Sequence, residues 1–76
     1  MEKSLDFTVV LEPQQGGGFS VSVPALPETA TEGETEAEAL EMAADAIRLV
    51  LDYREDNGLP VPGDAAPRVR KISIAA

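Results

Sequence analysis

The sequence predicts an α+β domain whose three- to four-stranded, mainly antiparallel sheet carries one long helix on one face, in the order β-β-β-α-β. Three observations support this prediction. Two apolar segments near the N-terminus alternate with the period of a strand, and a short glycine-rich connection separates them. A long segment with capping signals at both ends then has the period of a helix. A last β-branched segment follows a proline-rich stretch.

The first two strands are predicted to form a hairpin. In the first segment Leu5, Phe7, Val9 and Leu11 alternate with Ser4, Asp6, Thr8 and Glu12. In the second, Phe19, Val21 and Val23 alternate with serines as far as Pro24. The connection includes three glycines, at residues 16–18, and a loop this short favours antiparallel pairing. A phosphate-binding loop is not expected, because such a loop joins a strand to a helix N-terminus.

A short third strand over residues 29–33 and a helix are predicted next. Thr35 and Glu38 have the spacing of a capping box, in which each side chain binds a backbone N–H near the start of a helix. At the other end, Gly58 suits a left-handed C-cap, and Pro60 prevents the helix from continuing. The helix is therefore expected to lie between Thr35 and Gly58.

Residues 59–67 are rich in proline and are expected to be extended, which lets them return most of the way along the helix at about 3.1 Å per residue. Residues 68–74 are then predicted as a last strand with Ile72 and Ile74 facing inward. This segment contains three cations, Arg68, Arg70 and Lys71. Such charges are typical of edge strands, which they protect from uncontrolled pairing. A nucleic-acid contact is the disfavoured alternative, since no aromatic residue flanks the cations and the remainder is acidic.

The helix is predicted to be apolar on two sides. At about 100° per residue, one face centred on Leu40 is predicted to pack on the sheet. It comprises Leu40, Ala43, Ala44, Ile47 and Leu51. A second face, nearly opposite, comprises Met42, Ala46, Leu49 and Tyr53. Because one small sheet cannot cover both, the second face is predicted to form an oligomer or partner interface. The alternative is that residues 59–67 fold back over it.

The negative charge is concentrated on the helix and the residues that precede it. The chain has a net charge of −8, from 14 acidic and 6 basic residues. Residues 28–56 hold ten of the acids and two arginines, so this region contains the whole excess. The acidic residues predicted to face a partner are Glu38, Glu41, Asp45 and Asp52. Such a face repels a phosphate backbone and attracts a basic protein, although a solvated helix face is the simpler alternative.

Composition excludes several classes of site and favours oligomerisation. We expect one domain over residues 1–76, and a chain this small has a marginal core. It has no cysteine and no histidine, so neither a disulfide nor a zinc site is expected. Self-association, as a homodimer or homotetramer, is the remaining source of stability. No signal peptide or membrane-spanning segment is recognisable, so a cytoplasmic protein without a membrane partner is expected.

No catalytic, cofactor-binding or metal-binding residue is predicted. A nucleophile–base pair is not expected without histidine or cysteine. Asp45, Asp52 and Asp56 share a helix face, but carboxylates on one exposed face rarely converge on an ion. Asp6 and Glu12 form a carboxylate pair on the polar side of the first strand. The sequence therefore argues against an enzyme, and a ribonuclease that depends on Asp6 or Glu12 is the alternative.

A run of short motifs resembles the HicB family of antitoxins. The motifs are Leu-Glu-Pro at residues 11–13, Gly-Gly-Phe at 17–19, Val-Pro-Ala-Leu-Pro at 23–27, Thr-Glu-Gly-Glu-Thr at 31–35 and Glu-Ala-Leu at 38–40. The resemblance as a whole covers residues 5 to about 62. One position departs from the family pattern, since Glu28 stands where a glycine usually follows the Leu-Pro pair. The turn at that point is therefore expected to differ.

The resemblance implies a compact α/β domain, often described as a partial RNase H-like fold, that self-associates. It also implies binding to HicA, a small basic ribonuclease toxin, without catalysis by the antitoxin itself. Many family members add a C-terminal DNA-binding domain, for which these 76 residues leave no room, so direct nucleic-acid binding is not predicted. The predicted function is an antitoxin-type protein-binding module. The alternative is a stand-alone oligomeric structural or regulatory domain with an unknown ligand and no toxin partner.

Overall fold

The computed structural model describes residues 5–76, in which three strands precede one helix. The elements are β1 (Val10–Pro13), β2 (Phe19–Ser22), β3 (Ala30–Gly33) and α1 (Glu36–Asp56). The strands form one antiparallel sheet in the order β1-β2-β3. The predicted α+β class, with a mainly antiparallel sheet and one long helix, is confirmed. Ser4, the first polar residue of the predicted alternation, lies outside the described residues.

The hairpin between β1 and β2 depends on its glycines. Gly16, Gly17 and Gly18 have φ angles of 95°, 108° and 83°, a region that residues with a side chain rarely adopt. The Gln14 N–H donates to the Gly18 carbonyl at 2.9 Å, and the Gly17 N–H donates to the Gln14 carbonyl at 3.0 Å. These bonds close the turn and set a register that pairs Leu11 with Val21.

The first strand is shorter than the sequence predicts, because it begins at Val10 instead of Leu5. Its partner β2 ends at Ser22, and the nearby Pro24 has no N–H with which to extend the ladder. The Thr8 N–H instead donates to the carboxylate of Asp64 at 2.7 Å. Residues 5–9 therefore lie outside the regular sheet.

The predicted last strand is not formed, and the observed order is β-β-β-α. Residues 59–76 contain no helix or strand. Val69, Ile72 and Ile74 are exposed by 84%, 82% and 80%, so the two isoleucines do not face inward. A strand needs a neighbour for its backbone hydrogen bonds, and within its own chain this segment pairs with neither edge of the sheet. We call residues 68–74 the C-terminal segment.

The helix begins and ends where its capping signals predict. The Thr35 hydroxyl accepts a hydrogen bond from the Glu38 N–H at 3.1 Å. The Glu38 carboxylate accepts from the Glu34 N–H at 3.4 Å instead of the Thr35 N–H, so the reciprocal half of the predicted capping box is displaced by one residue. At the C-terminus Gly58 has a φ of 67°, and the Asn57 side chain donates to the Tyr53 carbonyl at 2.8 Å.

The core lies where α1 crosses β2 and β3, and small residues bring the helix close to the sheet. The buried centre consists of Val21, Ala39 and Ala43, with Val9, Leu11 and Phe19 packed against it. Val23 and Leu26, at and beyond the end of β2, are exposed by only 1% and 0%. A Cβ atom at Gly33 would lie 2.5 Å from the backbone nitrogen of Ala39. The first turns of the helix therefore rest directly on β3.

The helix face that meets the sheet lies between the two predicted faces. Leu40, taken as the centre of the core face, is 44% exposed, so that prediction is wrong. Ala39 and Ala43 are buried, Ala46 and Val50 are half-buried, and these four form what we call the alanine strip. Of the other residues predicted for the core face, Ala43 belongs to this strip. Ala44, Ile47 and Leu51 are half-buried on one flank of the strip. The two apolar faces thus join into one sector of about 220°, and the sheet covers only its centre.

Candidate functional site

One side of α1 exposes an apolar flank, which we define as Met42, Leu49 and Tyr53. These side chains are exposed by 44%, 72% and 60%, respectively. Ala46, the fourth residue predicted for this interface, is half-buried and belongs to the alanine strip. The flank on the other side of the strip lines a shallow groove with residues 5–7, so it has a neighbour in its own chain. Leu49 and Tyr53 on the apolar flank are more exposed than Leu40, which is 44% exposed on the other flank.

Residues 59–67 do not cover the apolar flank. Asp64 accepts hydrogen bonds from the N–H and the hydroxyl of Thr8, both at 2.7 Å, which holds this segment beside the chain that leads into β1. These two bonds lower the pKa of the Asp64 carboxyl, because both stabilise its charged form. The fold-back alternative is therefore not observed.

The predicted partner-facing acids all lie exposed on the outer side of α1. They are Glu38, Glu41, Asp45 and Asp52. Asp45 forms an ion pair with Arg48 at 3.0 Å, but both side chains are more than two-thirds exposed, at 75% and 72%. An ion pair that exposed contributes little to stability. These carboxylates are therefore available to a partner and contribute to a negative potential along the helix.

An ion pair between Arg54 and Glu28 holds the C-terminal end of α1 to the bend before β3. The guanidinium donates to both carboxylate oxygens, from Nε at 2.8 Å and from Nη2 at 3.0 Å, and its Nη1 donates to the Pro60 carbonyl at 3.0 Å. Only 18% of the Arg54 side chain is exposed. The pKa of Glu28 is lowered, first by a hydrogen bond from its own backbone N–H and then by Arg54.

This ion pair escaped the sequence analysis, although a signal for it exists. Arg54 lies inside the apolar sector of the helix, about 20° from Ala43 and well away from the acids. A charged residue in a half-buried position needs a partner. Glu28, the residue that departs from the family pattern, is that partner.

The described residues form no recognisable catalytic or metal centre. Within residues 5–76, no group of three or more Asp, Glu, His or Cys side chains is placed to hold an ion. Asp6 borders the groove beside Arg48, whereas Glu12 lies on β1 outside that groove. Both carboxylates are exposed. No helix in the described part of the chain is long and apolar enough to cross a membrane.

Comparison with known proteins identifies the family. No protein-family model matches the chain. The chain is 32% identical over 65 residues to the UPF0150 protein Ta0767 of Thermoplasma acidophilum, which covers 86% of this chain and 94% of that protein. It is 48% identical over 63 residues to Antitoxin HicB 1 of Photorhabdus laumondii. The chain belongs to the HicB-like antitoxin family. The resemblance noted from the sequence is thereby confirmed.

The similarity of this HicB-like chain to named antitoxins concerns only part of their length. Antitoxin HicB of Escherichia coli K12 is 48% identical over 58 residues, which is 74% of this chain and 42% of that protein. The match to the Photorhabdus protein covers 80% of this chain and 41% of the relative. The HicB-like chain thus spans about two fifths of the length of these two antitoxins.

Proposed function

We propose that this HicB-like protein is an antitoxin-type binding module that self-associates and sequesters a small basic ribonuclease toxin of the HicA kind. The observation that carries the proposal is the surface of α1, on which exposed carboxylates run beside an exposed apolar flank. The names of two relatives, both antitoxins, support a toxin as the partner. The acidic face serves the toxin in this proposal, and the apolar flank serves a second copy.

The charge of the helix suits a protein that itself binds RNA. A ribonuclease must present positive charge to the phosphate backbone, and an acidic helix competes for that surface. Complementary charge raises the association rate and discriminates against neutral or acidic partners. The four carboxylates on this exposed face are opposite in charge to such a toxin and attract it. Replacing them with neutral side chains should therefore weaken capture of the toxin, and the core should stay intact because none of the four is buried.

The apolar flank suits self-association. Leu49 and Tyr53 expose most of their side chains, and burying each one contributes about 1.5–3 kcal/mol. Aromatic and aliphatic anchors of this kind dominate the energy of protein interfaces. A symmetric dimer uses the same surface twice, so each exposed side chain is buried in both copies.

A stand-alone structural or regulatory oligomer without a toxin is the second candidate. One observation favours it: the relative that matches over 94% of its length has a name that mentions no toxin. In this alternative the same apolar flank forms the subunit interface, and the acidic face keeps the assembly soluble.

Affinity capture from the native lysate distinguishes the two candidates. The baits are the wild type, a variant with Glu38→Gln, Glu41→Gln, Asp45→Asn and Asp52→Asn, and a control with Asp6→Asn and Glu12→Gln. The antitoxin proposal expects the wild type and the control to retain a small basic protein whose RNA cleavage appears after elution at high salt. The helix variant should retain at least tenfold less of it. If no bait retains such a protein while light scattering gives a multiple of the chain mass, the stand-alone oligomer is the better description.

A further inference from the structure

We infer that the C-terminal segment of one copy pairs as a strand with the outer edge of β3 in a second copy, and that the exchange is reciprocal. The inference rests on the proposed self-association and identifies which part of the second copy covers the apolar flank. Reciprocal exchange produces a closed two-fold dimer, the commonest symmetry of soluble homo-oligomers.

The C-terminal segment has the composition of a strand, but it pairs with no strand among residues 5–76 of its own chain. Val69, Ile72 and Ile74 are each at least 80% exposed. β-Branched residues favour strands, and full exposure of three of them leaves a large favourable burial unrealised. The radius of gyration is 14.8 Å, against about 11 Å for a compact domain of this length. The longest dimension is 52 Å, so part of the chain extends from the compact body.

The edge of β1 is a poor acceptor for this segment. The hydrogen bond from the Gln14 N–H to Gly18 fixes which backbone groups of β1 face β2, and by alternation Leu11 and Pro13 face outward. Pro13 has no N–H to offer, and a proline of this kind blunts a sheet edge.

The edge of β3 is open. The same alternation, carried through the β2–β3 register, points the N–H and C=O groups of Ala30 and Glu32 away from β2. β3 contains no proline. Extended segments recognise such an edge through their main chain, and their alternate side chains fill the surfaces above and below it.

The side chains of the C-terminal segment match the surroundings of this edge. With Ile72 and Ile74 on the helix side of the sheet, both isoleucines lie towards α1, where Met42 and Tyr53 are exposed. Lys71 then lies on the opposite face, which is also the face of Glu32 because Thr31 and Gly33 point towards the helix. Cross-strand pairs of opposite charge stabilise such a sheet.

Net charge supports the same pairing. Residues 65–76 contain three cations and no acid, whereas residues 28–38 contain five acids and no cation. The three cations of the C-terminal segment, which were interpreted as protection of an edge strand, would therefore meet the acids of residues 28–38 in a second copy. Like charges on an edge oppose pairing with an identical segment, so two C-terminal segments do not pair with each other.

The segment does not pair with this edge within the described part of its own chain. Asp64 is bound to Thr8 beside β1, at the opposite side of the three-stranded sheet from β3. The C-terminal segment follows this anchored point and is left unpaired, so its backbone groups are available to a second copy.

Complementation between two defective variants tests the exchange. One variant, Ile72→Pro with Ile74→Pro, keeps the β3 edge but cannot pair as a strand, and Ala75→Pro is its control. The other, Glu32→Lys, keeps the C-terminal segment but places a positive charge at the edge that receives Lys71. We expect light scattering to give the mass of a dimer for the wild type and the control. For each variant alone we expect at least a tenfold higher dissociation constant. Mixing the two should restore a dimer, because one exchanged strand is then intact.

Each outcome bears on a separate claim. If the wild type has the mass of one chain, the proposed self-association fails and the exchange fails with it. If the double-proline variant remains as dimeric as the control, self-association stands and the exchange is overturned. The proline substitutions lie in residues exposed by at least 80%, so they leave the folded body intact, and an unchanged helical circular dichroism signal verifies this. Failure of the two variants to complement each other would also overturn the exchange.

Discussion

Gly33 lies directly against Ala39, so close that a Cβ atom added at Gly33 would stand 2.5 Å from the Ala39 nitrogen and 3.0 Å from its Cβ. This approach brings α1 onto β3 and explains why the residues at the contact are alanines. A close contact between backbones has no room for a larger side chain at either position. The position of the helix on the sheet therefore depends on the glycine.

The first prediction concerns this contact. Gly33→Ala should lower the free energy of unfolding by about 1–3 kcal/mol, because the helix backbone must move away from β3 and cannot yield as a flexible side chain would. Gly63→Ala is the matched control, since nothing lies within 4 Å of a Cβ at that position. Urea denaturation of both variants measures the difference. Equal midpoints for the two would contradict the close packing described.

The second prediction compares two arginines of the same helix. Arg54→Ala removes a guanidinium that binds Glu28 through two nitrogens and Pro60 through a third, and it should destabilise the protein by about 1–2 kcal/mol. Arg48→Ala removes only an exposed ion pair with Asp45 and should cost about 0.5 kcal/mol or less. Thermal unfolding of the two variants gives the comparison. A smaller loss for Arg54 than for Arg48 would show that the ion pair between Arg54 and Glu28 does not hold the helix end.

The third prediction follows from the two lowered pKa values. The carboxyls of Glu28 and Asp64 have lower pKa values when folded than when unfolded. The unfolded chain therefore binds more protons in the acid range, and the associated stability is present above the unfolded values of about 4 and is lost as the pH falls through the folded ones. Urea midpoints measured from pH 6 down to pH 2 should decline accordingly.

Two variants assign this acid sensitivity. Asp64→Asn removes the titrating group, and Thr8→Val removes the hydroxyl that stabilises its charged form at 2.7 Å. Both should be less stable than the wild type at pH 6, and both should lose less stability on acidification. If both decline as steeply as the wild type, the contact between Asp64 and Thr8 is not a source of the pH dependence.

Sequence reasoning located the elements whose signals are local. Thr35 and Gly58 delimit the helix through bonds within a few residues, and the glycines at 16–18 define the hairpin in the same way. The face of the helix that meets the sheet is not set locally. Large side chains such as Leu40 seemed the natural core, whereas the close approach to Gly33 selects the alanines. A glycine inside a strand, followed by alanines at helical spacing, is the signal that identifies this face.

Contacts between residues that are far apart in the sequence could not be predicted for a related reason. The pattern of residues 68–74 correctly indicates the chemistry of a strand, but a strand exists only where an edge accepts it, and no local signal specifies that edge. The same holds for Arg54 and Glu28, which are 26 residues apart. In both cases the residue types indicated what kind of contact to expect, but the sequence did not identify the partner.

The last prediction concerns the apolar flank. Leu49→Glu and Tyr53→Glu place a charge where 72% and 60% of the side chain is exposed in a single copy, so the folded monomer should tolerate both. In an assembly the same charge would be buried, and each substitution also forfeits about 1.5–3 kcal/mol of apolar burial. Light scattering should therefore show a shift towards the mass of one chain. Ala37→Glu, which adds the same charge at an exposed position on the outer side of α1, is the control and should leave the mass unchanged. An assembly that survives both flank substitutions would have its interface elsewhere, and the flank would then be free for a different partner.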